Sequence, residues 1–363
     1  MIYFPTDIKS IVERVHAVDA NAYAKTRNFL AGAVTYLSPY ISRGVISLPF
    51  IQKIILEKYS KFASEKLIQE LAWREYYQRV WQHKGNAIFT DLKQAQQQVL
   101  HHQLPTAIIN AATGIEGIDA AIHHLYNTGY MHNHARMYTV MLSCNIGQSH
   151  FLQPARWMYY HLLDGDLASN MLSWQWVAGS FSSKKYYANQ ENINKYTSTA
   201  QNGTYLDHSY ETIAAQSLPT ALSNTTSFTL TTTLPSTALP QIKNHMPTYI
   251  YNGYNIDPEW HKGEAGNRIL LLEPSVYNAH PVSQKVLNFM VQLATNNIPE
   301  IQVVVAEFEA LFPASNAYKP VFKEHPLFNH YHGIKEERDW LFPHVSTYSP
   351  SFFNYWKKCE SYR

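Results

Sequence analysis

Between Ser42 and about Leu172 the apolar residues recur at the spacing of an α-helix, and beyond Ala200 that spacing stops. Leu67, Ile68, Leu71 and Ala72 are followed about two turns later by Val80 and Trp81, with Gly85 just past the end, which is how an amphipathic helix is built and closed. From Ala200 to about Gln241 the chain turns to Thr, Ser, Pro and Asn with almost no charge, so an irregular connector is expected. Farther on, Arg268–Leu272 is predicted as a short buried strand, Val282–Ala294 as an amphipathic helix and Ile301–Ala306 as a second strand, together a βαβ unit. Tyr249–Tyr251 adds a strand and Pro350–Cys359 a terminal helix. The fold class is therefore mainly α, with an all-helical domain over 1–199, a connector over 200–245 and a small α/β domain over 246–363.

The segment Asp164–Trp176 gathers two carboxylates (Asp164, Asp166), an amide (Asn170) and two tryptophans (Trp174, Trp176). Carboxylates accept from a ring N–H or pair with an arginine, and an amide meets a ring nitrogen whose protonation follows its redox state, so the set suits a heteroaromatic cofactor. A calcium loop is set aside, because Ala168, Ser169 and Gln175 stand at its fifth, sixth and twelfth positions. A second alternative stays open at this point: Asp166 as a helix N-cap with the tryptophans as ordinary core.

Composition narrows the classes. At 45% hydrophobic and 14% aromatic residues the chain has ample material for a large core. A net charge of +2 is too small for a global nucleic-acid field, so any DNA site must be a local patch. Two cysteines, no leader-like N-terminus and no membrane-length apolar run make the cytoplasm the expected compartment, with no membrane partner. The eighteen histidines are scattered, and no metal site is expected.

Several segments occur together in a telling order: Tyr23 ahead of Arg27-Asn-Phe29, then Thr35–Gly44 (Thr-Tyr-Leu-Ser-Pro-Tyr-Ile-Ser-Arg-Gly), Glu70–Tyr77 (Glu-Leu-Ala-Trp-Arg-Glu-Tyr-Tyr), Thr113-Gly114, Gly129–Met137 and Asp164–Trp176. In that order and spacing, residues 20 to 195 resemble the FAD-binding catalytic domain of the photolyase/cryptochrome superfamily. The resemblance implies FAD as cofactor, contacted through its diphosphate by Tyr23, Thr35, Leu37, Ser38 and Arg74. It sets Asn133, Arg136, Asp164, Asp166 and Asn170 toward the flavin, with Arg136 paired to Asp164 and Asn170 beside N5, where photolyases usually carry Asn. By the same resemblance Glu70, Met137 and Trp176 line a pocket for a flipped-out cyclobutane dimer in damaged DNA, and Glu70, Asn170 and Trp174 carry the catalysis. Asn133 and Met137 stand where (6-4) photolyases need a histidine pair, which disfavours that repair.

Two departures accompany the likeness. Relatives place an α/β antenna domain ahead of the flavin domain, whereas here an α/β segment follows it without a Gly-rich phosphate motif; no antenna chromophore is expected. Trp174 corresponds to the inner member of the family's tryptophan chain, but Phe151 takes the middle position and the outer one falls near Gln98. A detour through Trp157, Tyr159 or Tyr160, or reduction by a cellular reductant, is then required. The expected activity is a carbon-carbon lyase of the deoxyribodipyrimidine photolyase type, with a blue-light or redox sensor and a domain that has lost FAD as the alternatives.

Overall fold

A computed structural model describes residues 2–314 and 319–362. It is mainly helical up to Thr197, and a mixed α/β region lies farther along the chain. The longest helix, Lys61–Lys84, buries Leu67, Ile68, Leu71, Ala72, Val80 and Trp81, the stripe read from the spacing. Gly85 follows at φ +52°, a left-handed conformation that stops the helix at no steric cost.

The helix Asn133–Val140 starts where the His132 ring accepts from the His134 backbone N–H at 3.1 Å, and it runs into a π-helical turn, Met141–Ile146, that is wholly buried. Next come Leu152–His161 and Leu167–Ala178. Asp166 caps the latter by accepting from the Ser169 N–H at 2.7 Å, as the N-cap alternative has it.

The connector expected over 200–245 is mostly irregular and carries short elements. Ser209 accepts from the Thr212 N–H and starts the helix Tyr210–Ala215, and a shorter helix spans Thr220–Ser223. Ile213 and Leu222 are buried and anchor these turns, which composition alone conceals. A two-residue ladder follows, β1 (Leu104–Pro105) antiparallel to β2 (Thr225–Thr226), so the helical region also carries a small strand pair.

Past residue 246 lie β3 (Thr248–Tyr251), β4 (Asn267–Leu272), β5 (Gln302–Val305), β6 (Val321–Lys323) and β7 (Ile334–Glu336), all parallel in the order β5-β4-β3-β6-β7. The βαβ unit is present as β4, the helix Gln284–Asn297 and β5. Ile250, Ile269, Leu271, Val304 and Phe322 alternate onto one face and pack with Phe308, Phe312, Phe328 and Tyr331. The terminal helix forms at Phe352–Cys359.

Contacts divide the chain into two compact units that interleave along the sequence. One is built on Asn21–Val34 and His83–Thr229, the other on Tyr3–Ala20, Thr35–Gln82 and the chain from Leu230 onward. The sequence boundaries at 199 and 245 mark changes of composition; the compact units are assembled from non-adjacent segments.

Candidate functional site

In the helical unit, Arg136 on Asn133–Val140 meets Asp164 in the turn before Leu167–Ala178. Its Nη2 lies 2.8 and 3.0 Å from the two carboxylate oxygens, and its Nε donates to the Met131 carbonyl at 2.8 Å. The acid is buried and the guanidinium retains partial exposure, so the pair holds a fixed cation at an accessible edge. Asn133 and Met137 share this helix at positions 0 and +4, on one face with Arg136.

Asn170 is buried, and its Nδ2 donates to the Ala155 carbonyl at 2.8 Å. That bond sets the amide's orientation, so Oδ1 is its acceptor end. Trp174 is buried, and its indole N–H has no hydrogen-bond partner among the described residues. Such an orphaned donor at a helix carrying Asp166, Asn170 and Trp174 fits a cofactor with acceptor groups. Trp176, two residues on, is the exposed one of the tryptophan pair.

Phe151, at the middle relay position, is fully buried. An oxidisable cluster joins Leu152–His161 to the helix Glu116–Thr128: the Trp157 indole donates to the Tyr126 hydroxyl at 3.1 Å, His161 packs edge-on against Tyr126 at 4.8 Å, and Tyr160 lies 5.0 Å from His161. Burial pushes His132 and His134 down to about 4, so both are neutral at physiological pH and add no charge to that of Arg136.

In the other unit, Thr35 Oγ1 accepts from the Leu37 N–H at 3.3 Å, and Ser38–Ser42 forms a helix of five residues entered through Leu37. Tyr36 sits at φ +53°, which pins this loop in a bent form. Glu70 and Arg74 lie one turn apart on Lys61–Lys84, and Arg74 Nη2 reaches the Ile41 carbonyl at 3.4 Å. Tyr23, by contrast, lies in the helix Ala20–Thr26, of which the part from Asn21 belongs to the helical unit.

Sequence reasoning assigned nothing to Glu75, and the structure makes it a buried anchor. Its carboxylate accepts from the backbone N–H groups of Leu341 and Phe342, the latter at 2.8 Å, and from the Tyr355 hydroxyl at 2.6 Å. Burial raises its pKa, and these bonds oppose the rise. Two residues earlier Trp73 stacks on Phe352, with centroids 3.7 Å apart and planes at 11°. The available signal was position: Glu75 follows Leu71 by four residues, on the buried stripe.

Residues 67–218 match the family model described as the FAD binding domain of DNA photolyase. That stretch, less than half of the chain, is similar to the FAD-binding domain of photolyases. Identity is moderate: 30% over 165 residues to a deoxyribodipyrimidine photo-lyase of Streptomyces griseus, and 33% over 181 residues to one from Synechococcus sp.. Each alignment takes in 44% of this chain and 35% of the relative, so the chain spans about a third of the length of these curated relatives. A solved Synechocystis cryptochrome superposes at 25% identity with a TM-score of 0.49, over 54% of this chain and 44% of that one. The photolyase match takes in Glu70, Arg74 and the assigned residues from Asn133 to Trp176; Tyr23, Thr35, Leu37 and Ser38 precede it. Among the described residues no helix is long and apolar enough to cross a membrane, and no three metal-ligating side chains gather.

Proposed function

We propose that the protein binds FAD and uses light to drive electron donation from the reduced cofactor to a cyclobutane pyrimidine dimer in DNA, as a deoxyribodipyrimidine photolyase-like lyase. The observation that supports this reading is the Arg136–Asp164 pair within the matched region, a buried carboxylate fixing a partly exposed cation of the kind that stabilises an electron-rich ring. Reduced flavin, when bound, supplies the electron. Arg136 stabilises negative charge on the ring, Asp164 holds Arg136 in place, and Asn133 and Asp166 orient ring and ribose. Asn170, with its amide nitrogen taken by Ala155, offers its oxygen to a protonated ring nitrogen and so favours the reduced cofactor. By the resemblance, Tyr23, Thr35, Leu37, Ser38 and Arg74 are proposed for the diphosphate.

Glu70, Met137 and Trp176 are proposed to hold the lesion, with exposed Trp176 as an aromatic wall. Trp174 relays electrons, and Trp157 with Tyr126 and Tyr160 replaces the missing outer tryptophans. We assign the domains as 1–199, 200–245 and 246–363, and the compartment as cytoplasmic.

The test is a repair assay on dimer-bearing DNA with FAD-loaded, chemically reduced protein under blue light. Restored thymine absorbance is expected; none in a fully reduced sample overturns the repair step while leaving FAD binding standing. A colourless chain that takes up no FAD defeats both.

A sensor without repair activity is the second reading, favoured by one contact. Phe352 of the terminal helix stacks on Trp73 in the Glu70–Tyr77 motif, giving a direct mechanical link from that motif to the C-terminal region. Hydrogen exchange at Phe352–Cys359 that differs between dark and lit protein supports it, and identical exchange removes it.

A further inference from the structure

The five-stranded sheet has two outer edges, and they are guarded in different ways. At one edge β7 is three residues long and carries Lys335 and Glu336 in the strand itself, a common protection against pairing with another chain. At the other edge β5 lies within Ile301-Gln-Val-Val-Val-Ala306, a run with high strand propensity, no charge and no proline. Short segments of that composition pair readily with copies of themselves once their outer N–H and C=O groups are open. Val303 and Val305 are only half-buried, so the core does not hide this edge.

Its cover is the second half of the uncharged connector. Residues 212–242 contain no Asp, Glu, Lys or Arg, and the part from Leu230 onward belongs to the same compact unit as the sheet. Thr237 Oγ1 accepts from the Val305 N–H at 2.8 Å and so occupies a backbone donor of β5. Gln302 of β5 clasps Gln241 through its side-chain amide: the Gln241 N–H donates to Oε1 at 2.7 Å, and Nε2 donates to the Gln241 carbonyl at 3.1 Å. Asn267 of β4 clasps Lys243 in the same way, at 2.9 and 3.2 Å. Farther back, Thr232 Oγ1 accepts from the Val282 N–H at 2.7 Å and donates to its carbonyl at 2.9 Å.

Side chains make these bonds where a neighbouring strand would use its backbone. Among the described residues β5 pairs with β4 alone, and no strand forms between 227 and 247. Pro235 and Pro240 supply a reason, because each lacks an N–H and interrupts any ladder. The segment therefore shields the edge without extending the sheet. Ile242 packs against the sheet's core and moors one end, whereas Leu239 is exposed, so the stretch ahead of the mooring is held to β5 through Thr237 and Gln241. A cover with few buried apolar contacts opens locally while the strands beneath stay folded.

We propose that residues 230–243 are a releasable strap that keeps the β5 edge from pairing with the β5 edge of a second copy of this chain. Once released, two such edges meet about a two-fold axis, each strand giving the other the backbone partners that the strap now replaces.

The test compares the full-length chain with its Thr237→Val, Gln302→Thr double variant, which removes the hydroxyl and the amide holding the strap to β5 and keeps strand propensity. Hydrogen exchange at the Val305 N–H reads opening of the strap, and light scattering over a concentration series reads self-association. In dilute protein, exchange at Val305 is expected to be at least tenfold faster. At higher concentration the mass should rise toward that of two chains, and circular dichroism should be unchanged. Adding Val303→Lys, which charges the edge, should return the mass to that of one chain. Should the double variant fail to fold, Thr237→Val alone is nearly isosteric and should shift both readouts in the same direction. A folded variant whose strap opens while the mass stays that of one chain overturns the proposal, as does unchanged exchange at Val305. Association that Val303→Lys leaves intact overturns it too, and so does an unaltered chain that already associates through this edge.

Discussion

Asp164 and Glu75 are both buried acids within the region matched to the photolyase FAD-binding domain, and they are held in opposite ways. Asp164 faces a guanidinium within hydrogen-bond distance, whereas Glu75 is held by two backbone N–H groups and a tyrosine hydroxyl. An acid opposite a cation keeps a charge available at an accessible edge; an acid wrapped in neutral donors fastens distant parts of the chain. The first arrangement suits chemistry and the second architecture.

That contrast is broken most forcefully at Glu75. Glu75→Leu leaves three buried donors without an acceptor and is expected to cost about 4 kcal/mol, read as a lowered urea midpoint. A loss below about 1 kcal/mol would remove Glu75 as an anchor. Arg136→Met strands the Asp164 carboxylate; with the arginine partly exposed, about 2 kcal/mol is expected, accompanied by loss of bound FAD on gel filtration. Unchanged FAD retention would move Asp164 into Glu75's purely architectural class.

Smaller effects sharpen the picture. Asp166→Ala removes an N-cap and should cost about 1 kcal/mol, and a larger fall in FAD affinity than in stability would show that Asp166 also serves the cofactor. The weakest effect concerns pH. His132 and His134 have folded pKa values of about 4, below the unfolded 6.5, so the unfolded chain binds more protons between these limits. Their contribution is fully present above 6.5, fades as the pH falls and is gone below about 4. His134→Phe should reduce the slope of stability against pH in that window by about one proton; an unaltered slope would place His134 in water.

Legibility followed sequence separation. The Lys61–Lys84 stripe was readable because its apolar positions repeat within one helix, and the βαβ unit because β4, the helix Gln284–Asn297 and β5 are neighbours in the chain. The Arg136–Asp164 pair, 28 residues apart, came only through the family resemblance. Glu75 meets Leu341 across 266 residues, and no local pattern encodes that partner. β6 and β7, three residues each, are too short for an alternating signature, so the second half of the sheet stayed hidden. In the connector, single buried residues such as Ile213 outweighed a polar composition.

The interleaved segments also have a consequence for synthesis. When Trp73 and Glu75 leave the ribosome, Phe352 and the Leu341 backbone do not yet exist, and at ordinary elongation rates they follow roughly 13 to 50 s later. Through that interval a helix with an aromatic, acid-bearing face waits uncovered, a nascent surface suited to capture by chaperones. A premature stop anywhere before Leu341 would leave that surface permanently open.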